Sequence, residues 1–156
     1  MGGLSRTSEG NARVRQMLKV RQFDHVNLAV QDVERATSFY TEVLGLKLVR
    51  RDVDREGRAT FVSVKTGAQI IDLMPKPDYH PPADPWAAGW DHLALVIEPC
   101  DPYELIEHLK AGGAEVYRGP VQVSGAYGMG TAVYFLDPDR HAVELKQYPP
   151  GAAEVG

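Results

Sequence analysis

The chain has a single cysteine, Cys100, in "EPCDP". One thiol makes neither a disulfide framework nor a zinc–thiolate cluster, so a reducing, cytoplasmic setting is the expectation. Long apolar runs are missing as well: none approaches the ~18 residues of a membrane-spanning helix. A basic stripe is also absent. The 17 Lys and Arg are outnumbered by 21 Asp and Glu, for a net charge of −4, and no stretch interleaves them with aromatics. That argues against nucleic acid and anionic membrane as partners and leaves a small molecule.

What is present is globular in balance, with 44% hydrophobic and 24% charged residues. A chain of 156 residues fits one domain or two small modules sharing a core. At that size about 68–70% of the unfolded surface is buried, enough to need no staples. The opening "MGGLSRTSEGNARVRQMLKVRQ" is Arg-rich, yet it lacks the apolar segment of a secretory signal. Glu9 and the want of a long amphipathic face speak against a transit peptide. Residues 1–20 are therefore expected to be a disordered or cloning-derived extension, or the product of an early start with Met17 as the true one. Residues 149–156 are expected to form a flexible tail.

One phrase occurs twice. "FDHVNLAV" at residues 23–30 is echoed by "WDHLALVI" at residues 90–97, each an aromatic residue and Asp-His at the head of an alternating apolar run. The repetition continues past the phrase. Asp32 caps a helix whose apolar stripe is Val33, Ala36, Tyr40, Val43 and Leu44, with Gly45 past its end. Asp101 caps a second, with Pro102 at its first position, Leu105, Ile106 and Leu109 facing inward, and Gly112-Gly113 as the stop. Three strand-like runs follow each helix: "LKLVRRDV", "RATFVSVK" and "AQIIDLMP", then "AEVYRG", "TAVYFLD" and "HAVELKQY". "KTGA" and "DPDRH" supply the turn before each last strand. The pattern is βαβββ written twice, an α+β fold, with modules at about 21–74 and 90–148. Between them "PKPDYHPPADPWAAG", residues 75–89, carries five prolines and reads as a linker or covering loop.

Period-two alternation puts His25, Asn27 and Ala29 on one strand face, matched in the second copy by His92, Ala94 and Val96. The opposite, wholly apolar face should pack under the helices, so the His face should line a concavity. The last strand of each half sets one carboxylate in an apolar frame, Asp72 in "IDL" and Glu144 in "VEL". Such a group is not buried without a partner, because an unpaired buried charge costs several kcal/mol. A lone strand histidine is more often a hydrogen-bonded rim residue than a ligand. Recurrence at matching positions shifts that balance. If a pseudo-twofold relates the halves, His25 with Asp72 and His92 with Glu144 converge as a divalent-metal site.

At these residues the sequence resembles the vicinal oxygen chelate superfamily, which holds glyoxalases, bleomycin-resistance proteins and extradiol dioxygenases. The likeness is carried by "DHVNLAVQDVERATSFYTEVLGLKLV" and "GPVQVSGAYGMGTAVYFLDPDRHAVEL" and spans residues 21–148 as one domain. It is strongest toward the glyoxalase-domain proteins that include virulence-associated members. In those the strand of Asp72 usually carries Asn, then His two residues on, where this chain has Asp72 and Met74. The resemblance implies a half-barrel sheet with outer helices and a homodimer. It also implies one divalent ion per site (Ni, Co, Zn, Fe or Mn) on His25, Asp72, His92 and Glu144.

Three functions follow. In a glyoxalase-I-like lyase or isomerase, the metal chelates two adjacent substrate oxygens and Glu144 or Asp72 is the catalytic base. An extradiol-type dioxygenase needs two His and one carboxylate, met by His25, His92 and Glu144, and an acid–base group for which His80, Tyr127 and Tyr134 are candidates. A sequestering drug- or aromatic-ligand-binding protein would use Trp86 and Trp90. Asn27, Trp86, Trp90, Tyr127, Met129 and Tyr134 are the expected substrate contacts. "GAYGMG", residues 125–130, precedes a strand rather than a helix, so it reads as a mobile loop over the pocket mouth and not as a phosphate loop. His108 and His141 are expected to be solvated, and Cys100 inert.

Overall fold

The structure, a computed structural model, describes residues 22–87 and 89–152. The extension expected at 1–20 and the last four residues of the expected tail lie outside the described residues. Eight strands and two helices follow the order β1 (His25–Val30), α1 (Val33–Ser38), β2 (Lys47–Val53), β3 (Ala59–Thr66), β4 (Gln69–Pro75), β5 (Leu93–Val96), α2 (Pro102–Ala111), β6 (Glu115–Gly125), β7 (Gly128–Leu136) and β8 (Ala142–Gln147). They form two four-stranded mixed sheets, ordered β1-β4-β3-β2 and β5-β8-β7-β6. In each, the first strand runs parallel to the last and the other pairs are antiparallel. This is the α+β, twice-written βαβββ pattern expected.

Both helices begin as their sequences dictate. The Asp32 carboxylate accepts from the N–H groups of Glu34 and Arg35, and that of Asp101 from Tyr103 and Glu104. Each cap satisfies N–H groups that the first turn leaves open, an effect of about 1 kcal/mol. The first helix departs from regularity after Ser38. Residues Phe39–Val43 wind as a π-helix, and the Leu44 N–H reaches back to Phe39 O at 3.1 Å. The wider turn lets two successive large rings, Phe39 and Tyr40, both face inward, and both are buried.

A single core joins the modules. From the first sheet it takes Leu28, Val30, Val62, Val64, Ile71 and Leu73; from the second Leu95, Val133, Phe135, Val143 and Leu145. Phe39 and Phe135 meet across the seam at 6.0 Å between ring centres. Gly112 is there because any Cβ would strike the Val43 side chain at 2.4 Å. The apolar faces of the two sheets thus share one interior with the helices. Their alternate residues, the histidine faces, are turned away from it.

Two expectations need correction. "GAYGMG" is no free loop: β6 runs on to Gly125 and pairs with β7 down to Gly125–Gly128, leaving only Ala126 and Tyr127 as the link. Gly128 takes φ +98°, which an L side chain rarely adopts. His108 is exposed as expected, and its ring Nε2–H donates to Val43 O at 2.7 Å across the seam. His141 is not exposed. It stands 3.0 Å from the buried Asp137 carboxylate and stacks on Tyr79 of the linker at 6.0 Å, because the "DPDRH" turn folds inward to accept the Tyr40 hydroxyl on Asp137 at 2.8 Å.

Candidate metal centre

The two histidine faces are built on the same register. Asn27 lies opposite Asp72 on the parallel β1–β4 pair, and Ala94 opposite Glu144 on β5–β8. His25 and His92 each sit two residues earlier on the same face. On the far side of each carboxylate the antiparallel neighbour supplies Ser63 to Asp72 and Tyr134 to Glu144. Duplication therefore places His, carboxylate and a hydroxyl-bearing residue alike in both halves.

The repeated Asp-His dipeptide now gains a reason. Asp24 Oδ1 holds His25 Nδ1 at 2.6 Å, and Asp91 Oδ1 holds His92 Nδ1 in the same way. A carboxylate on Nδ1 fixes the proton there and presents Nε2 as the free lone pair, the arrangement that orients metal-ligating imidazoles. Hydrogen bonding to Asp24 first, and then the charges of Asp24 and Asp72, raise His25 above the ordinary histidine range. In the second half His92 Nε2 lies 2.9 Å from Glu144 Oε2. The Tyr134 ring stands edge-on to His92 at 5.4 Å, and burial together with the Glu144 carboxylate pushes its phenol up.

The carboxylates are held differently. Asp72 accepts from the Ser63 hydroxyl at 2.6 Å, both groups buried. Around them opens a cavity of about 370 Å³ walled by His25, Arg50 and Phe61 among others. Glu144 Oε1 lies 3.5 Å from Lys146 Nζ, and that ammonium also donates to Val123 O at 3.0 Å and Ser124 O at 2.9 Å. Gly125 keeps room for this lysine, since a Cβ there would sit 2.6 Å from Lys146 Cε.

A profile described as "Glyoxalase/Bleomycin resistance protein/Dioxygenase superfamily" matches residues 22–145. The chain belongs to that superfamily. The lactoylglutathione lyase of Neisseria meningitidis serogroup A is 30% identical over 133 residues, covering 84% of this chain and 94% of its own. The virulence protein STM3117 of Salmonella typhimurium is 28% identical over 83% of this chain and 85% of its own length. The crystal structure of STM3117 superposes with a TM-score of 0.58 over 85% of this chain and all of its own. The fosfomycin resistance protein FosX from Listeria monocytogenes, solved with Mn(II) and sulfate, shares the fold at a TM-score of 0.64 over 86% of this chain and 98% of its own, with 19% identity.

The donors in this member suit a divalent ion: two imidazoles with oriented Nε2 atoms and two carboxylates. The structure brings them together only in pairs. Among the described residues no three His, Cys, Asp or Glu are close enough to share a metal. The expected substrate contacts scatter further. Tyr134 adjoins His92, and Trp86 reaches it through Tyr117. Tyr127 packs edge-on against Tyr148 at the hairpin tip, where Met129 is exposed, while Trp90 and His80 are exposed near the linker. Sequence reasoning passed over Asp24, Asp91, Ser63 and Lys146. The aspartates could have been found from their place in the repeated phrase; Ser63 and Lys146 stand where the other module has Tyr134 and Met74, so their chemistry is not repeated and leaves no such trace. Cys100 is pushed up by burial and then by Asp101 and Glu104, which leaves it a poor nucleophile.

Proposed function

We propose that this protein is a metal-dependent lyase or isomerase of the glyoxalase-I-like type, acting on a small molecule with two adjacent oxygens. The observation that carries the reading is the pair of aspartate-oriented histidines, one of them already 2.9 Å from Glu144. Because no three of the donors come together among the described residues, the complete centre belongs to a homodimer. Each centre takes His25 and Asp72 from one chain and His92 and Glu144 from the other. The bound ion would polarise the chelated carbonyl and stabilise the enolate that forms beside it.

The remaining work falls to side chains. Asp24 and Asp91 hold the Nδ1 side of each imidazole and turn its Nε2 toward the centre. Glu144 is the base: its Oε2 accepts the proton from the carbon next to the chelated carbonyl and returns it to the neighbouring carbon. Lys146, fastened to two backbone carbonyls, holds the Glu144 Oε1 side and leaves Oε2 facing His92. A ring-cleaving dioxygenase is the second reading, favoured by one observation. The Ser63 bond occupies Asp72, and without it His25, His92 and Glu144 remain as two His and one carboxylate.

The test is elemental analysis after incubation with Ni(II), Co(II), Zn(II), Mn(II) or anaerobic Fe(II) and desalting, then assays of the loaded dimer. Retention of about one ion per chain and turnover of a 2-oxoaldehyde hemithioacetal are expected. Turnover of catechols with oxygen would favour the second reading. No retained ion from any of the five would sink both.

A further inference from the structure

The second module carries aromatic and cationic groups that the chelating chemistry does not use. From His92 a line of rings runs outward: Tyr134 to Tyr117 at 6.1 Å between centres, then Tyr117 to Trp86 at 5.5 Å. Arg118 lies over the Tyr134 ring at 5.1 Å. Tyr117 and Arg118 are consecutive in β6, so a regular strand would send them to opposite faces. Both nonetheless meet Tyr134, because the β6–β7 register slips between Val116 and Arg118 and inserts a residue. A bulge of this kind re-aims side chains.

Arg118, like Arg55, differs from the arginines of this structure that pair with a carboxylate. Arg35, Arg50, Arg51, Arg58 and Arg140 each pair with a carboxylate. Among the described residues Arg118 has no such partner, and Asp91, the acid that acts on the same Tyr117, is engaged by His92 Nδ1. A guanidinium laid on a ring keeps its N–H edge outward, shaped to grip a carboxylate with two bonds. Beside it, Trp86 and Tyr117 meet at 82° and are exposed by 42% and 38%, an open corner in which a flat body stacks on one ring and touches the edge of the other.

We infer that the substrate of the centre proposed above carries, besides its chelating oxygens, a flat conjugated or aromatic body bearing an anionic group, with the body on Trp86 and Tyr117 and the anion on Arg118. The inference rests on that reading of the centre, but the strip works without metal, so the two are separable. A purely structural Arg118, bracing the bulge against Tyr134, would show no preference for ligand charge.

The experiment uses the full chain stripped with EDTA and titrated calorimetrically with 2-naphthoate and with the neutral 2-naphthamide. Wild type should favour the anion by about tenfold, the worth of one charge-assisted pair. Arg118→Met should abolish the preference, weakening naphthoate about tenfold and the amide less than twofold, and Arg118→Lys should restore part of it. Trp86→Ala should weaken both probes. Equal affinity for the two probes in wild type, an unchanged preference in Arg118→Met, or no binding of either overturns the strip. Metal retention, measured on the same variants, should be untouched by Arg118→Met. Naphthoate binding in a chain that retains no metal upholds the strip and overturns the centre; retention without naphthoate binding does the reverse.

Discussion

The two half-sites share a backbone register and differ in what grips the carboxylate. In the first, Asp72 is short and tied to Ser63, and His25 stands 46% exposed beside an open cavity. In the second, Glu144 is one methylene longer, touches His92 directly, and is backed by Tyr134 and Lys146. Duplication of the strands copied the positions of the ligands. The antiparallel neighbour, Ser63 or Tyr134, then decided which half is assembled before any metal arrives. On this comparison the second half would anchor the proposed ion and the first half would complete its shell.

The comparison breaks or sharpens on metal affinity. His92→Ala should have the largest effect, about a hundredfold or more in dissociation constant by titration, because it removes a ligand and leaves Glu144 alone. Glu144→Gln should cost nearly as much. Asp91→Asn keeps the ligand but loses its orienter, so a smaller loss of about tenfold is expected. Asp72→Asn should cost less than Glu144→Gln, and Ser63→Ala, by freeing Asp72, should recover affinity rather than lose it. An Asp72→Asn loss equal to that of Glu144→Gln would show the halves to be equivalent and end the asymmetry.

How much of this the sequence carried depends on whether a residue's job is local or shared. The module pattern, both caps and the matching strand positions of the two His–carboxylate pairs were legible, because period-two and helical spacing, N-cap chemistry and repetition are written within short segments. The partition of the ligands into separate pairs was not, since it depends on which sheet faces share the core. The π-turn after Ser38 was equally hidden: Phe39 and Tyr40 read as one core residue and one neighbour until Asp137, far along the chain, supplies a partner for the Tyr40 hydroxyl. His141 misled for the same reason. A turn histidine is ordinarily solvated, and only the linker that brings Tyr79 over it buries it.

The turns before the last strands extend the comparison from ligands to stability. In the first module "KTGA" turns at Gly67 with φ +55° and is plain. In the second, "DPDRH" turns at Arg140 with φ +64° and is an acidic hub joining the modules. Asp137 receives Tyr40 from the π-turn and His141 from its own strand end, while Asp139 receives the Gln31 N–H at 2.9 Å and Arg35 at 3.1 Å. Asp139 Oδ2 is buried with no hydrogen-bond partner among the described residues. Tyr40→Phe should cost about 1 kcal/mol in urea unfolding, the net worth of one buried hydrogen bond.

The smallest effect concerns pH. Burial alone would lower His141, but the Asp137 hydrogen bond and the charges of Asp137 and Asp139 outweigh it, and the imidazole ends above its ordinary 6.5. A raised native value means that the folded state binds the proton more tightly than the unfolded chain. Its stabilisation is thus complete below about pH 6.5 and disappears as pH climbs through the raised value. His25, also raised, is exposed and paired within its own dipeptide, so its share is screened. Urea midpoints for wild type and His141→Gln, compared from about pH 6 to about pH 9, should converge as the pH rises. A gap that stays constant across that window would mean that His141 acts as a neutral donor to Asp137.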